Sequence, residues 1–145
     1  MANTQQSPSA AAGFVPTEEQ VDGVLAWFAE YDAHAAAGEV ERMADMAVFP
    51  VNVVSDSADG GGPAKSWTRE EFVRRMREQG AGQDGVEMRS HRTPVFVNEN
   101  LVFVVTDATF TVDGQTYAVR YGDLLVRTGG RWAFQTMVSG SFGAA

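Results

Sequence analysis

Hydrophobic positions change period along the chain. In the first third they recur at helical spacing, and after Gly85 they alternate two by two. Val21, Val24, Leu25, Phe28 and Tyr31 give one apolar face to a helix. Thr17 and Gln20 stand in capping-box positions behind Pro16, so that helix should run to about Ala37, and Gly38 should end it. A short second helix is expected over 39–47, stopping ahead of Pro50. The β-branched stretch FPVNVVSDS (49–57) reads as a strand, and SADGGGP (57–63) as a loop. Thr68 and Glu71 form a second capping box, flanked by a Trp67–Phe72 staple, for a third helix to about Gln79.

Four strands follow, at 86–97, 101–112, 115–127 and 131–142, joined by NEN, DG and GG turns. The expected architecture is α+β: three N-terminal helices packed on one face of a curved antiparallel sheet.

The turns set the register. Asp113-Gly114 suits a two-residue type I′ turn, because both central residues need positive φ. It pairs Val112 with Gln115 and brings Asp107 opposite Arg120 on an exposed face. Val104, Thr106, Phe110, Tyr121 and Asp123 then share the other, apolar face. Gly129-Gly130 pairs Thr128 with Arg131 and adds Phe134, Thr136 and Val138 to that face, with Thr136 opposite Asp123. Gln135 and Ser139 go outward, unless a one-residue bulge intervenes. A carboxylate at position 123 thus points toward the helices, where an unpaired charge is costly and its pKa should rise.

The chain of 145 residues suits one domain, with a core needing no covalent staple. The domain is expected over 16–145, behind a disordered tail over 1–15 that lacks the features of a secretory leader. There is no cysteine, which removes disulfides and thiol chemistry and fits a reducing cytoplasm. A net charge of −8, with Lys65 the only lysine, argues against nucleic acid. No apolar run is long enough to span a membrane. GGGPAKS (60–66) lacks the glycine spacing of a phosphate loop, and two separated histidines support no metal site, so no cofactor is expected.

The segments YDAHAAAGEVERMADMAVFPVNVVSDS and TFTVDGQTYAVRYGDLLVRTGGRW resemble the opening and closing parts of the nuclear transport factor 2-like superfamily. That resemblance implies a cone-shaped pocket between helices and concave sheet. It implies a small-molecule ligand, and in many members a homodimer through the outer sheet face. Against its ketosteroid isomerases, Tyr31 falls where those enzymes keep an oxyanion-hole tyrosine, and Asp123 where they keep a protonated aspartic acid. Their base carboxylate has no direct match, since Ser55 occupies the position and Asp56 is its neighbour.

By that resemblance Tyr31 and Asp123 would donate hydrogen bonds to the reacting oxygen. Asp56 or His91, imidazole being a group that titrates near neutrality, would move the proton. A two-residue turn at Glu99-Asn100 would turn His91 and Arg89 inward; a three-residue turn would turn Ser90, Arg92 and Phe96 inward instead. Trp27, one turn before Tyr31, is placed with Val104, Thr106, Phe110, Tyr121, Phe134 and Thr136 as lining for the pocket. Taken with the resemblance, these residues imply cofactor-independent general acid/base chemistry on a small apolar carbonyl or hydroxyl compound, of the isomerase, cyclase or dehydratase type found among the superfamily. A non-catalytic binding or dimerising module is the alternative.

Overall fold

A computed structural model describes residues 13–56, 64–82 and 86–140. Among these, the helices are α1 (Glu18–Ala36), α2 (Val40–Ala44) and α3 (Arg69–Glu78). The strands are β1 (Ala47–Ser55), β2 (Ala64–Trp67), β3 (Val86–Asn98), β4 (Leu101–Val112), β5 (Gln115–Thr128) and β6 (Arg131–Ser139). The third helix therefore follows two strands, so the helices are not all N-terminal to the sheet. The expected loop 57–63 lies outside the described residues, as does the tail up to residue 12. Phe14 rests against Phe96, with ring centres 5.9 Å apart.

Both capping boxes form. Thr17 accepts from the Gln20 amide at 3.1 Å and Gln20 returns the bond at 2.9 Å. Thr68 and Glu71 do the same at 3.2 and 3.1 Å. Each box satisfies two backbone donors that a helix start leaves unpaired. On α1 the buried stripe runs through Val24 and Phe28 with Trp27 and Tyr31 beside it, while Leu25 is turned outward.

The six strands form one sheet in the order β2-β1-β6-β5-β4-β3. β1 runs parallel to β6, which corrects the expectation of a purely antiparallel sheet. The cause is the chain's route: β1 enters before the meander, and the last strand comes back beside it. The Asp113-Gly114 turn has positive φ at both residues (51° and 78°), and Val112 faces Gln115 as the turn chemistry demands.

One face of this sheet meets the helices. Val102, Val104, Thr106 and Ala108 alternate inward along β4 and are buried. With Phe72, Phe96, Leu125, Phe134 and the α1 stripe they form the core. The Trp27 indole donates to the Trp132 carbonyl at 2.9 Å and ties α1 to β6.

Two irregularities decide which side chains reach the interior. Between β5 and β6 the pairing slips at Leu124/Leu125, so Asp123 faces Met137 rather than Thr136. Between β3 and β4 it slips at Phe96/Asn98, although the turn itself is the two-residue Glu99-Asn100 form. A bulge adds one residue to one strand and inverts the face of everything beyond it. Thr136 is thereby turned off the inner face, where its hydroxyl bonds the Gln135 side chain at 2.6 Å. Ser139 comes inward instead, opposite Tyr121. His91 is turned outward, opposite Asp107, and Arg92 takes the inner face opposite Thr106.

Candidate functional site

Between α1, α3 and the inner sheet face lies a hollow of about 470 Å³. Its deep wall is aromatic. Trp27 and Tyr31, one helical turn apart, stack at 5.8 Å, and Phe134 meets Tyr31 edge-on at 5.4 Å. Met137 and Phe110 continue the apolar lining, and Ser55, Asp56, Ser139 and Gly140 also border it. A second hollow of about 590 Å³ adjoins it and shares Tyr31, Phe110 and Tyr121. By contrast, the open depression between α2 and α3 is lined largely by charged side chains and shares no lining residue with either hollow.

Asp123 projects into the first hollow from β5. The carboxyl keeps some accessible surface on the hollow side and is enclosed by protein elsewhere. Burial pushes its pKa up to about 7; Arg92 opposes the rise and Asp32 adds to it. Among the described residues, none hydrogen-bonds the Asp123 carboxyl or the Tyr31 hydroxyl. Tyr31 is held as a neutral phenol: burial, then the negative charge of Asp123, move it far above the ordinary tyrosine range.

Arg92 is the residue that sequence reasoning did not place in the site. Its side chain is only 8 % exposed and packs its guanidinium 4.3 Å over the Phe28 ring. The two terminal nitrogens reach both oxygens of Asp32, at 2.5 and 3.1 Å. The Nη2 group also donates to the Tyr121 hydroxyl at 3.2 Å, and Nε donates to Thr106 Oγ1 at 3.2 Å. Burial works against this cation, but the bond and charge of Asp32 hold its pKa above the ordinary arginine value. Arg92 and Asp32 thus bring a neutralised pair to the boundary between the two hollows, Arg92 lining the first and Asp32 the second.

Of the sequence-predicted residues, Trp27, Tyr31, Phe110, Tyr121, Asp123 and Phe134 line the hollow together. Asp56 joins them at the rim, exposed to solvent. Val104 and Thr106 point inward but are fully buried, Thr106 behind Arg92. Thr136 and His91 lie off the inner face for the reasons of register given above. One sequence signal for Arg92 existed, in the alternative β3 register; none pointed to Asp32 as its partner.

No family profile matches the chain, and no curated protein resembles it in sequence. Its likeness is to solved structures. A candidate dehydratase of the NTF2-like family from Streptomyces avermitilis superposes with a TM-score of 0.67 at 14 % identity, covering 85 % of this chain and 96 % of that one. The chain has the nuclear transport factor 2-like fold. An NTF2-like protein of unknown function from Shewanella oneidensis gives 0.66 at 10 % identity, over 83 % and 98 % of the two chains. A candidate scytalone dehydratase from Novosphingobium aromaticivorans gives 0.61 at 19 %, over 83 % and 82 %. At these identities the likeness concerns the fold. In this fold the hollow between α1 and the concave sheet is where the side chains described above converge.

Proposed function

We propose that the protein is a cofactor-independent acid/base enzyme acting on a small, largely apolar carbonyl or hydroxyl compound, by isomerisation, cyclisation or dehydration. The observation that carries this reading is Asp123: a carboxyl facing an apolar hollow, titrating near 7, beside the buried phenol of Tyr31. A general acid/base works best when its pKa lies near the working pH, because both protonation states are then populated. The names of the two candidate dehydratases agree with it.

In this reading the ionised Asp123 removes a proton from the carbon next to a carbonyl. The C–H electron pair becomes a C=C bond, and the carbonyl π pair moves onto oxygen. The Tyr31 O–H donates to that enolate oxygen in a site poor in water, where such a bond is strong. Asp123, now protonated, returns its proton in one of three ways. In an isomerisation it goes to a different carbon. In a cyclisation it goes to the alkoxide formed when the enolate carbon attacks a second carbonyl of the same molecule. In a dehydration it goes to the β-hydroxyl that the enolate electrons expel as water on forming a C=C bond. Asp56 also borders the hollow, at its solvent-exposed side.

The test needs no knowledge of the natural substrate. Cyclic ketones sized for the hollow, such as tetralones, are incubated with the protein in D₂O, and deuterium entry at the α-carbon is followed by NMR. Exchange should be faster than in buffer and rise through pH 7, and Asp123→Asn should lose roughly a hundredfold of the acceleration. No acceleration with any ketone that binds would overturn the enzyme reading. That outcome would favour a binding module, which the serine at position 55, where the isomerases keep a base, already supports.

A further inference from the structure

Tyr121 lines both hollows, and its oxygen accepts a hydrogen bond from Arg92 Nη2 at 3.2 Å. A guanidinium carries only donors, so this bond has one direction and occupies a lone pair of the phenol oxygen. The proton of Tyr121 must therefore be offered elsewhere, and no described residue takes it. Arg92 itself has little freedom to swing. Asp32 grips it with both oxygens, Thr106 holds Nε, and Phe28 lies under its plane.

We propose that Tyr121 is a second hydrogen-bond donor of the hollow, aimed by Arg92, and that the oxygen it serves is anionic: an enolate or phenolate borne on an apolar skeleton. Arg92 is then a positioning residue that acts through Tyr121. The inference deepens the acid/base reading and rests on the hollow being a site for a ligand oxygen. Its physical content is a fixed direction of hydrogen bonding. Without the guanidinium, the Tyr121 hydroxyl is free to turn and accept from Tyr31 or from protonated Asp123. The three groups would then satisfy one another instead of a ligand. With Arg92 in place, one lone pair of Tyr121 is already taken, so Tyr121 is a poorer sink, and its proton is left to join that of Tyr31 on one ligand oxygen.

The test uses the full-length protein and 4-nitrophenol, whose neutral and ionised forms absorb differently, and reads the pKa of the bound probe. Tyr121→Phe should raise that pKa by about one unit, a tenfold loss of preference for the phenolate. Arg92→Met should raise it at least as much. The double variant should go no further than Arg92→Met alone, because two groups acting as one unit are not additive. Tyr121→Phe keeps the Arg92–Asp32 pair, so its result stands even if Arg92→Met does not fold. A Tyr121→Phe protein that binds both probe forms more weakly by the same factor, with the bound pKa unmoved, would overturn the inference. So would fully additive shifts in the double variant. If the unaltered protein binds neither form of the probe, the reading of the hollow as an oxygen site itself fails.

Discussion

The sheet carries an aspartate–arginine pair on each face, and the two differ in almost everything except chemistry. On the outer face Arg120 meets Asp107 across β4 and β5 at 2.6 Å, with 74 % of the arginine side chain exposed. On the inner face Arg92 meets Asp32 of α1 at 2.5 Å, with only 8 % exposed. Water screens the first pair and competes for its hydrogen bonds, so its net worth is small. The second has lost that solvation, and each partner depends on the other to offset it. The lesson is that a short Asp–Arg distance says little about consequence until the surroundings are known.

Breaking the inner pair should have the largest effect. Asp32→Ala leaves a buried guanidinium without its counter-charge and should cost roughly 3 kcal/mol, the lower end for a buried pair because Asp32 is partly exposed. The urea midpoint measures it. Replacing both partners together, as Asp32→Leu with Arg92→Met, should recover much of the loss, since no orphaned charge remains.

Asp123→Asn comes next, and its effect should depend on pH. The folded pKa of about 7 lies above the ordinary 3.8, so between those values the folded state binds more protons than the unfolded one. Stability of the unaltered protein should therefore fall as pH rises from about 4 to 7, and then level off. The asparagine variant lacks that loss. It should be more stable than its parent by roughly 2 kcal/mol at pH 8, a figure discounted for solvent in the hollow, and no more stable at pH 4. Denaturant titrations at the two pH values check this. An ionised, structurally bonded Asp123 would give the opposite sign at pH 8.

Thr68→Ala should cost about 1 kcal/mol by removing the N-cap of α3, read as a lowered thermal midpoint. Smallest of all, Arg120→Ala on the outer face should leave the thermal midpoint unmoved at physiological salt. A clear fall there would show that the outer pair is shielded from water, as burial in an interface would make it.

The sequence was legible wherever the deciding physics is local. Thr17 and Thr68 cap their helices because the bonds involved span three residues. Asp113-Gly114 fixes its hairpin because the required φ values belong to those two residues, and from that turn alone Asp123 and Tyr121 could be assigned to the inner face. Tyr31 and Trp27 followed from helical spacing. All four line the hollow.

What failed to be legible lay beyond a bulge or across the fold. One extra residue on β6 exchanged Met137 for Thr136 opposite Asp123, and one on β3 exchanged Arg92 for His91 on the inner face. β2 was hidden because its four residues form a strand only by pairing with β1, and β1 lies beside β6 only when the chain returns to it. By itself, then, the sequence determined the helix starts, the tight turns and the inward direction of one carboxyl, all set by interactions a few residues long. The tertiary structure alone decided that Asp32, 60 residues from Arg92 in the chain, neutralises it, and that Asp123 titrates near 7. Both depend on how much water the assembled walls exclude, a property no short stretch of chain possesses.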